Sequence, residues 1–313
     1  MKIVFMGTTD FSVPILEGLR QFHEVALVVT QPDRPFGRKQ QLKPSPVKTY
    51  ALEHGLKVFQ PEHIRTDHQL VLDENPDCII VAAFGQMIPK IILNQPKYKC
   101  INVHASLLPK YRGGSPMHTA IKNGDAETGV TIMYMAMKMD AGAILSQASI
   151  PILDSDNVGS IENKLSRIGT SLLLDTLVKV EEGTIIAQNQ DESGVTFAWN
   201  IKPEEEHIDF DRTAREVFNH VRAFYPWPIT YFTIDGQTFK LHEVGIVSIP
   251  EGPYIDARPG EIVSMAKGEV LIKVKDGIVA LKTIQPAGRT PMDVKAFMNG
   301  AGKSVFNVGK LLK

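Results

Sequence analysis

Over residues 1–123, short unbroken apolar runs alternate with runs of helical spacing, and this alternation limits the fold more than any other feature. The strand-like runs fall at 3–7, 24–30, 57–60, 78–84 and 100–104. The helix-like runs fall at 11–22, 46–54, 67–74, 89–94 and 115–123. Strands joined through helices run parallel, because each connection must cross back over the sheet. A parallel sheet is covered on both faces, so its strands read as continuous apolar runs. The expected fold is α/β, a Rossmann-like open, mostly parallel sheet that binds ligands beyond the carboxyl ends of its strands. The first strand-to-helix turn, Met6-Gly7-Thr8-Thr9-Asp10, carries one glycine where a dinucleotide fingerprint needs three. That argues against a nicotinamide cofactor.

Past residue 123 the pattern changes. Runs at 129–135 and 143–152 read as strands joined by a turn at 140–142, and 158–182 reads as one long amphipathic helix. Residues 194–206 are polar and irregular. One helix at 213–224 follows, then five strand-like runs at 229–234, 239–249, 261–264, 269–274 and 277–284. The pairs Asp235-Gly236 and Asp276-Gly277 are hairpin signals. A helix followed by five short strands predicts a small C-terminal β-barrel, OB-like. The expected division is a first domain over 1–193, a linker over 194–206 and a second domain over 207–313.

With 34 Lys and Arg against 35 Asp and Glu, the net charge is −1, so no global field draws the chain to a polyanion. Local patches must do so. Residues 31–48 hold Arg34, Arg38, Lys39, Lys43 and Lys48 against Asp33 alone, net +4 with four prolines. Residues 266–313 hold nine basic and three acidic side chains, net +6. A solvated surface and an RNA-binding surface both fit such patches. The two cysteines, Cys78 and Cys100, sit in apolar runs and read as buried thiols, too few for a disulfide framework or a zinc site. The opening residues lack the form of a leader, and no apolar run nears the ~20 residues of a membrane span, so a cytoplasmic protein with no membrane partner is expected.

Asn102 and His104 are two apart in a strand, so both side chains project from the same face at its carboxyl end. An asparagine there can donate to a developing oxyanion, and a histidine can move a proton near neutral pH. Spacing alone fits equally a polar pair satisfied by backbone groups. Asp140, at the expected turn, reads either as a local cap or as a carboxylate that faces His104 and supports its imidazolium form.

The run NVHASLLPKYRGGSP, with an MDAG placing Asp140 36 residues after His104, resembles the signature of the folate-dependent formyltransferase family. The runs VVTQPDRPFGRKQQLKPSPVK, VAAFGQMIPK, AFYPWPITYF and IQPAGRTPM are similar to the methionyl-tRNA branch of that family and extend the likeness over almost the whole chain. The resemblance implies that Asn102, His104 and Asp140 are the catalytic trio. It implies that Phe84, Gly85, Gln86, Met87 and Ile88 border the pterin, and that Ser106, Leu107, Leu108 and Pro109 form the folate-side segment. It further implies 10-formyltetrahydrofolate as donor, initiator methionyl-tRNA as acceptor and no metal. Arg38 matches a loop arginine that probes the acceptor end, with Arg34, Lys39 and Lys43 beside it, and the barrel would serve as a tRNA platform. A monomer is expected.

Three positions depart from the family pattern: Thr9 where proline is usual, Asn200 where lysine is usual, and Tyr225 where asparagine is usual. Rival readings are transfer to an amino-sugar nucleotide, hydrolysis of the formyl-folate, or an RNA-binding module whose formyltransferase-like part is inert.

Overall fold

The computed structural model describes residues 1–36, 41–248, 254 and 256–313. The chain divides into two compact units. One comprises Met1–Pro116, Glu127–Pro151 and Glu162–Trp199; the other comprises Met117–Ala126, Ile152–Ile161 and Asn200–Lys313.

The first unit is built on β1 (Lys2–Gly7), β2 (Glu24–Val29), β5 (Val58–Phe59), β6 (Cys78–Ala82), β7 (Cys100–His104), β8 (Glu127–Tyr134) and β9 (Ile144–Pro151). A separate hairpin of β3 (Arg34–Phe36) and β4 (Gln41–Lys43) lies between β2 and β5 in sequence. The main sheet has the order β5-β2-β1-β6-β7-β8-β9. The ladders from β5 to β7 are parallel, whereas β7/β8 and β8/β9 are antiparallel. The sheet is thus mostly parallel, as its apolar runs predict. Every residue of β6 and β7 is buried, while β9 mostly alternates half-buried and exposed positions as an edge strand does. From β1 the chain moves outward to β2 on one side and later to β6 on the other. The strand order therefore reverses between β1 and β6, the position at which open α/β sheets take their ligands.

The connecting helices are α1 (Val13–Phe22), α2 (Pro46–Glu53), α3 (Gln69–Asp73) and α4 (Lys90–Asn94). Ser45 caps α2 by accepting from the Lys48 amide at 3.0 Å. Helix α5 (Pro116–Asn123) belongs from Met117 onward to the other unit, and the 24-residue α6 (Val158–Glu181) spans the division at Ile161. Helices α1 and α6 approach closely at Gly18, where a Cβ would stand 2.5 Å from Cγ2 of Thr170. Two features differ from the sequence reading. The basic segment 31–48 contains a hairpin, hidden because its strands are three residues long and include a proline. The expected strand at 57–60 pairs over two residues only.

The second unit carries α7 (Ala214–Ala223), whose start is fixed by a reciprocal Thr213–Glu216 capping box. After it come β10 (Thr230–Ile234), β11 (Gln237–Val247), β12 (Ile262–Ser264), β13 (Val270–Lys273), β14 (Ile278–Pro286) and β15 (Met292–Asp293), then the short helices α8 (Val294–Met298) and α9 (Gly302–Val305). The antiparallel order is β10-β11-β14-β13-β12, with β15 on β14. The sheet curls into a half-barrel around Phe232, Phe239, Phe297 and Phe306, whose ring centroids lie 5.4–6.4 Å apart in the close pairs. Residues 310–313 bridge its outer strands. Thr233 and Lys313 exchange backbone hydrogen bonds of 2.6 and 2.9 Å, and Leu312 donates to Gly260 at 2.8 Å. That tail pairing has no periodic signal and was not expected from sequence.

Candidate active site

Strand β7 delivers Asn102 and His104 to its carboxyl end, each almost fully buried at 9% and 6% exposure. His104 Nε2 lies 3.0 Å from the carbonyl oxygen of Tyr111. A carbonyl only accepts, so Nε2 carries the hydrogen. Nδ1 then points toward Asp140, whose Oδ2 is 3.8 Å away, beyond direct hydrogen-bond reach. The Asn102 carboxamide is not hydrogen-bonded to any other described residue. Unlike Nη1 of Arg112, its polar atoms are not sealed from solvent, so a ligand or water can meet them.

Asp140 lies outside the strands and adopts a left-handed backbone, φ +46°, uncommon for a residue with a side chain. Its Oδ2 accepts from the Gly113 amide at 2.8 Å, and its carbonyl accepts from Nε2 of Gln190 at 2.8 Å. The turn 110–115 is laddered to a strap over 194–198: Arg112 donates to Thr196, Ala198 to Arg112 and Ser115 to Ala198. Arg112 is completely buried. Its Nε and Nη2 both donate to Oε1 of Gln190, and Nη2 also meets Glu192 at 2.9 Å. Hydrogen bonds from Arg112 and then Lys138 hold the Glu192 carboxyl down at about 2.

The segment Ser106–Pro109 is anchored internally. Ser106 donates to the Lys110 carbonyl at 2.7 Å, and Leu108 is buried. Thr131 of β8 donates to the Ser106 carbonyl and accepts from the Leu108 amide, while Gln147 of β9 donates to the Leu108 carbonyl. Leu107 fills the space above Gly129, where a Cβ would stand 2.4 Å from Cδ2 of Leu107.

In the loop after β6, Phe84 and Ile88 are buried in the hydrophobic cluster of Val4, Ile79 and Ile92 and act as anchors. Between them Gly85 takes φ +85°, Met87 is 67% exposed, and Gln86 is half-buried. Gln86 ties the loop to its neighbour by accepting from Ile64 and donating to Pro61. The loop and residues after β2 and β5 line a cavity of about 280 Å³ formed by Gln31, Glu62–Arg65 and Gly85–Met87. Arg34 pairs with Glu62 at this rim at 3.0 Å, and Lys43 lies on exposed β4. Arg38 and Lys39 lie outside the described residues. Lys48 pairs with Asp33 at 2.7 Å; that bond and a second from Gln60 keep the Asp33 carboxyl below the usual range. A second cavity, about 520 Å³, lies in the other unit, and Tyr225 lines it beside His242, ring centroids 5.8 Å apart.

Both thiols are buried, Cys100 pushed up to about 12 by burial, so neither is a nucleophile at neutral pH. Among the described residues no group of three or more His, Cys, Asp or Glu side chains is placed to hold a metal. No described helix is long and apolar enough to cross a membrane. Sequence reasoning missed Arg112, Gln190 and Glu192. Arg112 stood inside the quoted run, but Gln190 and Glu192 sit in irregular chain with no periodicity to single them out.

The open, mostly parallel sheet carries Asn102 and His104 at one strand end with Asp140 facing the histidine, and two family models match the chain. Formyl transferase covers residues 1–177, and Formyl transferase, C-terminal domain, covers residues 200–302. The chain is 47% identical over 302 residues to a methionyl-tRNA formyltransferase of Macrococcus caseolyticus, covering 96% of each chain. It is 48% identical over 307 residues to one from Listeria welshimeri, covering 97% of each. The chain belongs to the methionyl-tRNA formyltransferase family. Two solved structures share its fold: HypX from Aquifex aeolicus in complex with tetrahydrofolic acid (TM-score 0.67, 18% identity, 99% of this chain and 50% of that one) and the sugar 3N-formyltransferase WlaRD (TM-score 0.66, 21% identity, 93% and 99%).

Proposed function

We propose that this enzyme transfers the formyl group of 10-formyltetrahydrofolate to the amino group of initiator methionyl-tRNA. What supports the reading is near-full-length similarity to methionyl-tRNA formyltransferases in a chain that keeps Asn102, His104 and Asp140 together. The acceptor amine attacks the formyl carbon, forming a C–N bond and a tetrahedral oxyanion. The bond to the folate nitrogen then breaks, and the amine's proton passes to that nitrogen. Asn102, whose amide has no partner among the described residues, donates to the oxyanion. His104, acting in its imidazolium form, contributes an Nδ1 hydrogen, with Asp140 behind it to balance the charge. An oxyanion donor of this kind is worth about 3 kcal/mol.

In this reading residues 1–193 are the catalytic domain, 194–206 a linker and 207–313 an OB-like tRNA-binding domain. Folate binds along Phe84–Ile88 and Ser106–Pro109. Since Phe84, Ile88, Ser106 and Leu108 are anchored in the interior, Gly85, Gln86 and Met87 offer the accessible side of the first segment, and Leu107 and Pro109 that of the second. Arg34, Arg38, Lys39 and Lys43 form the tRNA-facing basic segment of a cytoplasmic, monomeric enzyme that uses no metal.

The test is formyl transfer to charged initiator and elongator tRNAs at several salt concentrations, with an amino-sugar nucleotide as competing acceptor. Transfer to initiator methionyl-tRNA supports the reading; transfer only to the sugar, or none, overturns it. If Arg38 contacts a phosphate, Arg38→Ala flattens the log–log salt dependence by about one unit.

A further inference from the structure

Asp140 holds a left-handed backbone without being glycine, a shape that contacts from outside its own turn can stabilise. The Gln190 side chain is placed to do it. Its Nε2 donates to the carbonyls of both Asp140 and Gly142, each at 2.8 Å. Its Oε1 accepts twice from Arg112, at 3.0 and 2.8 Å. A flipped carboxamide would set its NH2 against a guanidinium and its oxygen against two carbonyls, so only one orientation satisfies the contacts. The guanidinium that imposes this orientation is fully buried, and its Nη1 has no partner among the described residues. Burying an incompletely satisfied arginine is destabilising, so this one is poorly explained as a stabilising contact alone. The next residue, Gly113, donates to the Asp140 carboxylate itself. One short turn thus grips Asp140 twice: directly through the Gly113 amide at its carboxylate, and through Arg112 and Gln190 at its main chain.

We infer that Gln190 is a positioning residue for Asp140, held in register by Arg112, and that it fixes where the carboxylate stands relative to His104. The inference rests on the proposed role of Asp140 in formyl transfer. A misplacement of the order of 1 Å at a reacting group costs up to about 100-fold in rate.

The experiment is a double-mutant cycle with Gln190→Ala, Asp140→Asn and the combination, read as kcat and as KM for 10-formyltetrahydrofolate and for initiator methionyl-tRNA. Gln190→Met, which keeps the side-chain length without its amide, runs in parallel to separate packing from hydrogen bonding. Expected is a kcat loss of about 10- to 100-fold for both Gln190 variants, with either KM changed by less than about twofold. The combined variant should be no slower than Asp140→Asn alone, because a misplaced group already without its charge has nothing further to lose. Unchanged kcat in the Gln190 variants, or rate losses that multiply in the combination, overturns the inference. If Asp140→Asn alone keeps full activity, the proposed role of Asp140 is what fails.

Discussion

The Asp140 carboxylate accepts the Gly113 amide hydrogen at 2.8 Å, and the same oxygen stands 3.8 Å from Nδ1 of His104. That oxygen therefore stabilises the turn and faces the histidine without bonding to it. The gap leaves Nδ1 without a direct bond to the carboxylate, while Nε2 donates to the Tyr111 carbonyl at 3.0 Å. Orientation and charge come from different partners, and each can be tested separately.

Asn102→Ala and His104→Ala should each lower the rate of formyl transfer about 100-fold or more, the size expected for an oxyanion donor. Neither side chain is a large apolar core group, so thermal unfolding should shift little. The check is single-turnover transfer beside a melting curve; a variant with near-normal turnover removes that residue from the chemistry.

Gly113→Ala should damage both fold and activity. Gly113 has φ +123°, and a Cβ there would stand 2.5 Å from the Ala198 carbonyl oxygen, a backbone atom that cannot swing aside. Strain of this kind costs about 1–3 kcal/mol. Denaturant unfolding should show a loss in that range, together with slower transfer, because the amide at Asp140 moves.

Glu162 should make the first unit less stable as pH rises. Burial, then the charge of Asp10, pushes its carboxyl above the usual range. A raised acid contributes stability below its unfolded value of 4.5 and loses it as pH rises through the folded value. Glu162→Gln should therefore melt higher than the parent at pH 7 and gain little at pH 4. Equal gains at both values would assign the effect to packing.

His220 acts in the opposite direction. Burial lowers it from its ordinary 6.5 to about 4, and its Nε2 donates to the Glu205 carbonyl at 2.8 Å. Stability from the neutral ring is present above pH 6.5 and lost as pH falls toward 4. Stability measured across that window should fall less steeply in His220→Gln. A parallel pair of curves would show that this ring does not drive the acid loss.

The sheet, helix α7, the strand carrying Asn102 and His104, and the family were legible in the sequence. These depend on periodicity, capping residues and motif spacing, all local along the chain. The sequence also singled out Asp140, by its place at an expected turn and by its distance from His104. Only the tertiary structure decided how that aspartate is held. Arg112 and Gln190 are 78 residues apart, and Gln190 lies in chain with no periodic signal, so their contact has no trace in sequence order. The same holds for the tail, where Lys313 pairs with Thr233 80 residues away, joining the outer strands of the half-barrel. Apolar burial selects which segments become strands and helices, but polar side chains in irregular segments find partners only after the sheet has brought distant turns together.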